Sequence, residues 1–177
     1  MKTLALAVAL GLLAALQAQD PLALFQGEED ITGTWYTKAM VADKALPEGK
    51  RPRKVFPMTV TALGDGSLEA TITFQKKGQC HKKTFVLQKT EQPGEYTALG
   101  GTKRVWVERL PASGHHTFYC EHQQQGRTLR MAKLMGRNPD PSPEALEEFK
   151  EFAQRKGFLQ EHMLTPEQEE RCVPASS

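Results

Sequence analysis

A single asparagine, Asn138, occurs in the 177 residues, and Pro139 follows it. The chain therefore offers no N-x-[ST] acceptor, and N-glycosylation is not expected. A surplus of one charge is also missing: 23 Lys and Arg stand against 21 Asp and Glu, for a formal net charge of +2. The two signs are interspersed, which removes nucleic acid from the expected partners. The densest basic run, Lys50-Arg51-Pro52-Arg53-Lys54, reads as a solvated loop, with an anion or heparin-like contact as its alternative. Past the first segment no apolar run approaches the ~20 residues of a membrane span, so no membrane insertion is expected. The adjacent His115 and His116 would point to opposite faces of a strand and so do not form a metal pair. Neither a metal nor a cofactor is expected.

The apolar residues that run together lie at the start. Lys2 precedes a run from Leu4 to Leu16 that ends at Gln17-Ala18, the pattern of a secretory signal peptide over 1–18. Leu16 stands where a smaller residue is commoner, which leaves the cleavage site open. The remainder, 19–177, has the length of one domain and is expected to be secreted and extracellular. Three cysteines, Cys80, Cys120 and Cys172, then sit in an oxidising compartment, where one is left over unless two chains pair. Cys120 lies inside the strand-like run His116-Thr117-Phe118-Tyr119-Cys120, while Cys172 lies in the polar tail and Cys80 follows Lys76-Lys77-Gly78-Gln79. Cys80 is therefore paired with Cys172. Closing a loop of about 90 residues stabilises by roughly 4–5 kcal/mol in the chain-entropy account.

From Trp35 onward, short runs alternate with period two between turn residues, the signature of an all-β barrel or sandwich. Trp35, Thr37, Ala39 and Val41 are expected on one face of the first strand, and Met58, Val60 and Ala62 on one face of the second. Gly64-Asp65-Gly66-Ser67 turns into the cleanest alternation of the chain, Leu68, Ala70, Ile72 and Phe74 against Glu69, Thr71, Thr73 and Gln75. Phe85 and Leu87, then Val105 and Val107, then Phe118 and Cys120 align in later runs. In the last run Leu129, Met131, Lys133 and Met135 share a face. Eight strands without helical crossovers predict an antiparallel up-and-down β-barrel, whose closure removes both edges. The period changes at Pro139: Ser142-Pro143-Glu144 opens a helix as cap and first turn, Leu146, Phe149, Phe152 and Ala153 recur at helical spacing, and Gly157 ends it. Its apolar face is expected against the outer wall of the barrel.

Gly33-Thr34-Trp35 before the first strand, the eight strands, Lys133-Leu134-Met135-Gly136-Arg137 and Glu144-Ala145-Leu146-Glu147-Glu148-Phe149 together resemble the lipocalin family. Thr34-Trp35-Tyr36 with Lys38-Ala39-Met40, and Gly66-Ser67-Leu68-Glu69-Ala70, place the resemblance nearest the tear lipocalin and type 2 odorant-binding branch. It implies that the Trp35 indole closes the floor of the barrel, with Gly33 allowing backbone to pass close by, and that Arg137 stacks across Trp35, a cation–π contact worth roughly 0.5–2 kcal/mol. It also implies a strand-to-tail disulfide at Cys80 and Cys172. Where the family usually has Thr-Asp-Tyr before the seventh strand, this chain has Gly114-His115-His116, which weakens a receptor-recognition role for that loop.

Residues in register with Trp35 then line a cavity for a small hydrophobic ligand: Met58, Val60, Ala70, Ile72, Phe74, Phe85, Leu87, Val105, Val107, Phe118, Cys120, Met131 and Lys133. Lys133 lies four residues from Arg137, about 13 Å above the floor at ~3.3 Å per residue. There it can pair with a fatty-acid carboxylate or condense with an aldehyde; a lysine that snorkels to the mouth is the alternative. Cys120 is read as a buried, inert side chain, since an isomerase would need an activated thiolate and only Lys133 is a charged neighbour on that face. The expected function is a secreted carrier of odorants, fatty acids, aldehydes or other lipids, gated by the long charged loop from Asp43 to Lys54. It is not expected to be an enzyme. A protein-interaction or protease-inhibitory module using the barrel as scaffold is the competing class. The expected partners are the ligand and a cell-surface receptor, and the expected state a monomer or weak dimer.

Overall fold

A computed structural model describes residues 29–175 of the chain. The expected signal peptide, 1–18, lies outside the described residues. The strands in chain order are β1 (Gly33–Ala42), β2 (Lys54–Val55), β3 (Met58–Ala62), β4 (Leu68–Lys76), β5 (Gln79–Lys89), β6 (Glu95–Ala98), β7 (Lys103–Arg109), β8 (His115–Gln124), β9 (Arg127–Gly136) and β10 (Glu167–Gln168). Among the described residues, eight of them, all but β2 and β10, close an antiparallel barrel in sequence order. Strand β1 makes the closure. Its first residues, Gly33 to Trp35, pair with Val60 to Met58 on β3, and its remainder, from Tyr36 to Ala42, pairs with Gly136 to Met131 on β9.

A bulge divides β1. Thr37 stands opposite Met135 and Ala39 opposite Leu134, so Lys38 is an extra residue between consecutive partners. One inserted residue exchanges the faces of every side chain after it. The four residues expected on one face are therefore split: Trp35 packs among the interior side chains, and the Thr37 hydroxyl reaches the Met135 sulfur at 3.3 Å, whereas Ala39 and Val41 join the cluster under the helix. Gly136 leaves room for this extra side chain, since a Cβ there would lie 2.8 Å from the Lys38 Cε and the lysine would have to shift.

The barrel wall thus separates two apolar cores. The outer one receives α1 (Pro143–Arg155), capped by the Ser142 hydroxyl, which accepts from the Ala145 N–H at 3.2 Å. Ala145, Phe149, Phe152 and Ala153 are buried against Ala39, Val41, Tyr119 and Leu134. Beyond the helix the chain returns across the barrel. Leu164 exchanges backbone hydrogen bonds with Met40, β10 pairs in parallel with β2, and Cys172 is bonded to Cys80 across a Cα–Cα distance of 5.9 Å.

At the closed end Trp35 is fully buried and its indole N–H donates to the Ile31 carbonyl at 2.8 Å. The Arg137 guanidinium centres 3.7 Å from the ring and donates to the Thr32 carbonyl at 2.8 Å. Gly33 serves this contact rather than a passing backbone: its φ is +104°, and a Cβ there would stand 3.1 Å from an Arg137 nitrogen.

Gly33→Ala combines a disfavoured φ with a displaced guanidinium, and should destabilise by about 1–3 kcal/mol in urea unfolding. Replacing both Cys80 and Cys172 by Ser opens a loop spanning 92 residues and should cost about 4–5 kcal/mol in the same assay.

Candidate functional site

The interior of the barrel encloses a cavity of about 210 Å³. Seven of the eight barrel strands, all but β1, supply residues from their inward parity: Met58 from β3, Ala70 and Ile72 from β4, Phe85 and Leu87 from β5, Ala98 from β6, Lys103 and Val105 from β7, Phe118 and Cys120 from β8, and Met131, Lys133 and Met135 from β9. Ten of the thirteen residues singled out from the sequence meet there. The other three do not line it. Val60 stands opposite Gly33 and is buried in the closed-end packing around Trp35. Val107 packs against that inner cluster without reaching the cavity. Phe74 sits past the mouth, 37% exposed, with its ring stacked on His81 at 5.4 Å.

Ala98, Lys103 and Met135 were missed. Lys103 precedes Val105 by two residues and Met135 follows Lys133 by two, so alternation carried a signal for both. Ala98 ends a four-residue strand too short to show a period.

Lys133 projects into this apolar space with no hydrogen bond or ion pair to another described residue. Part of its surface is accessible, but that surface faces the cavity, and the ammonium is enclosed by the barrel. Burial pushes its pKa down, Cys120 opposes the shift, and the Lys103 ammonium adds to it. A neutral amine is the form that condenses with an aldehyde. Cys120 is the free cysteine among the described residues, and burial pushes its thiol up against the pull of Lys103 and Lys133. It is a thiol rather than a thiolate, the wrong form for a nucleophile. Two cations influence it, not Lys133 alone.

The two histidines part as adjacent strand residues do. His115 places Nε2 2.7 Å from the Lys38 ammonium and Nδ1 2.8 Å from the Ser113 carbonyl; burial is the main cause that lowers its pKa, and Lys38 adds to it. His116 meets the Trp35 indole edge-on at 4.9 Å. Neither belongs to a cluster of three or more metal-ligating side chains among the described residues.

Comparison with known proteins supplies context for this geometry. Residues 32–170 match the model of the lipocalin / cytosolic fatty-acid binding protein family. Lipocalin-1 of Sus scrofa is 47% identical over 100% of this chain and 99% of its own length. Odorant-binding protein 2a of Mus musculus is 44% identical over 98% of each chain. A solved structure of the siderocalin Ex-FABP superposes with a TM-score of 0.66 at 20% identity, covering 84% of this chain and 97% of that one, a likeness of fold.

Lys133→Met removes an enclosed charge that has no protein counter-ion, and should raise the stability of the ligand-free protein by about 1–3 kcal/mol. Because the native pKa of Lys133 lies below that of a solvated lysine, the unfolded chain binds the extra proton, and wild-type stability is lowest below both values. The advantage of the variant should therefore shrink as pH rises through the interval between them. Cys120 contributes in the opposite sense and feels Lys133, so the two curves are compared in a Cys120→Ser background.

Proposed function

The chain belongs to the lipocalin family, and on that premise we propose that it is a secreted carrier of broad specificity for single-chain amphiphiles such as odorants, fatty acids and aldehydes. It carries small hydrophobic ligands and is a binding protein rather than an enzyme. The observation that carries the finer reading is the enclosed apolar cavity with the Lys133 ammonium inside it.

Size and composition favour such guests. A volume of about 210 Å³ lies below the ~300–1,000 Å³ of drug-sized ligand sites, so a slender chain suits it better than fused rings. Met58, Met131 and Met135 give the walls flexible thioethers that adapt to different chains. Burying about 300 Å² of ligand supplies about 7 kcal/mol at ~25 cal/mol/Å² before ordering and association costs, so affinities fall near the micromolar range. A methylene changes this by only ~0.8 kcal/mol, too little to separate neighbours in a homologous series.

Secretion is supported by the apolar leader and by the Cys80–Cys172 bond, which persists in an oxidising compartment. The segment from Asp43 to Lys54 is the gate of this reading. It is held at both ends: Asp43 pairs with Arg130 at 2.6 Å, and Glu167 donates its N–H to the Arg53 carbonyl at 2.8 Å where β10 meets β2. The residues between those tethers form the proposed gate.

Displacement of a fluorescent fatty acid tests the carrier. Decanoate and decanal should displace it at micromolar concentration, and Lys133→Met should weaken both by about tenfold while leaving decane-like ligands unchanged. Equal losses across the three classes would remove Lys133 from the ligand site, and failure of every apolar ligand would overturn the carrier.

A further inference from the structure

Lys83, Lys103 and Lys133 all project from inward-facing positions at or within the cavity, and none of its thirteen lining residues is acidic. In a chain whose net charge is only +2, this concentration is a matter of position rather than composition. Lys83 and Lys103 place their ammonium groups 5.1 and 5.0 Å from the centre of the same Phe85 ring, at the edge of the cavity.

Register puts Lys103 and Lys133 on either side of Cys120. That cysteine stands opposite Val105 on β7 and Met131 on β9; Lys103 lies two residues before Val105, and Lys133 two residues after Met131. Both are thus diagonal neighbours of Cys120, with Cβ atoms about 7–8 Å away, a span their four-carbon stems cover. Lys103 stands opposite His122, toward the open end, and Lys133 opposite Phe118, toward Trp35. The Lys103 ammonium acts on Lys133, and both act on the thiol between them. An enclosed Lys133 ammonium with a second like charge at the edge of the cavity, and no acidic residue lining the space, favours an anion between them. An oxyanion between them accepts charge-assisted hydrogen bonds from both, with the Cys120 S–H as a third donor.

Resting on the carrier reading, we propose that Lys103 and Lys133 form a two-lysine clamp that holds the oxyanion head group of a single-chain lipid beside Cys120, in mid-barrel. Lys83 draws the anion in at the mouth. Because the clamp offers two cations, a dianionic head group gains more from it than a carboxylate, and a neutral one gains least.

Three ligands of equal chain length test this: dodecyl phosphate, dodecanoate and dodecanol, each used to displace a fluorescent probe from the full secreted protein. The clamp requires affinity to fall in that order, with about tenfold between phosphate and alcohol. Lys103→Met should lower phosphate and carboxylate affinity by about tenfold and leave the alcohol within about twofold; Lys103 and Lys133 changed together to Met should make the three ligands equal. Thermal unfolding of each variant reports an intact barrel, and Lys103→Gln replaces any Met variant that does not fold. Dodecanol binding as tightly as the anions in the wild type, or anion affinity unchanged in Lys103→Met, would overturn the clamp while leaving the carrier standing. Failure of all three ligands, dodecanol included, would overturn both.

Discussion

The Arg137 guanidinium over the Trp35 indole, 3.7 Å from its centre, joins the end of the last barrel strand to the start of the first. It seals the closed end, and the depth of every cavity residue is counted from it. Three demands converge there. The indole N–H needs the Ile31 carbonyl because nothing else is available once Trp35 is fully buried. The guanidinium needs acceptors and finds the Thr32 and Thr34 carbonyls at 2.8 and 3.4 Å. Gly33 must then lack a side chain and take a positive φ to leave the guanidinium room.

Above that seal, the wall serves two cores at once. The inner face of the barrel presents a cavity, and the outer face of β1 and β9 presents the bed of α1. A strand with strict alternation cannot change which of its residues belong to which core, so the bulge at Lys38 does it. Trp35 and Thr37 are thereby spent on the interior, Ala39 and Val41 on the helix. The small side chain of Ala39 lets Phe149 and Phe152 approach the sheet, and the outer core holds the helix to the wall without entering the ligand space.

Electrostatics gives the interior its character. None of the residues lining the cavity carries a carboxylate; outside it, Asp43 pairs with Arg130, Glu95 with Arg104 and Glu169 with Lys54. The lysines at the cavity and its mouth have no such partners lining the space. Burial lowers one ammonium and raises one thiol, and both shifts favour the neutral forms of groups that water would charge more readily. An apolar enclosure with latent cations suits amphiphiles, whose tails repay desolvation and whose heads supply the missing charge.

Much of this was legible in the sequence, because alternation, turn residues and caps are local. The period-two runs from Leu68 to Phe74 and from Leu129 to Met135 placed strands, Ser142-Pro143 placed the helix start, and the strand setting of Cys120 against the polar setting of Cys172 paired the cysteines. Ten cavity residues followed from parity counted from Trp35, whose place at the floor came from the family resemblance. What parity could not reach needed partners distant in the chain. The bulge shows only when β1 is laid against β9, and the exclusion of Phe74 depends on where the mouth ends. The guanidinium that Gly33 accommodates arrives from a residue more than a hundred positions away. The sequence by itself determined a barrel, a helix and an inward lysine, since each is written in the spacing of neighbouring side chains. Only the tertiary structure decided that Lys103 and Lys133 flank one thiol in a cavity without carboxylates, because that arrangement depends on the registers of three strands, and register is set by the closed sheet as a whole.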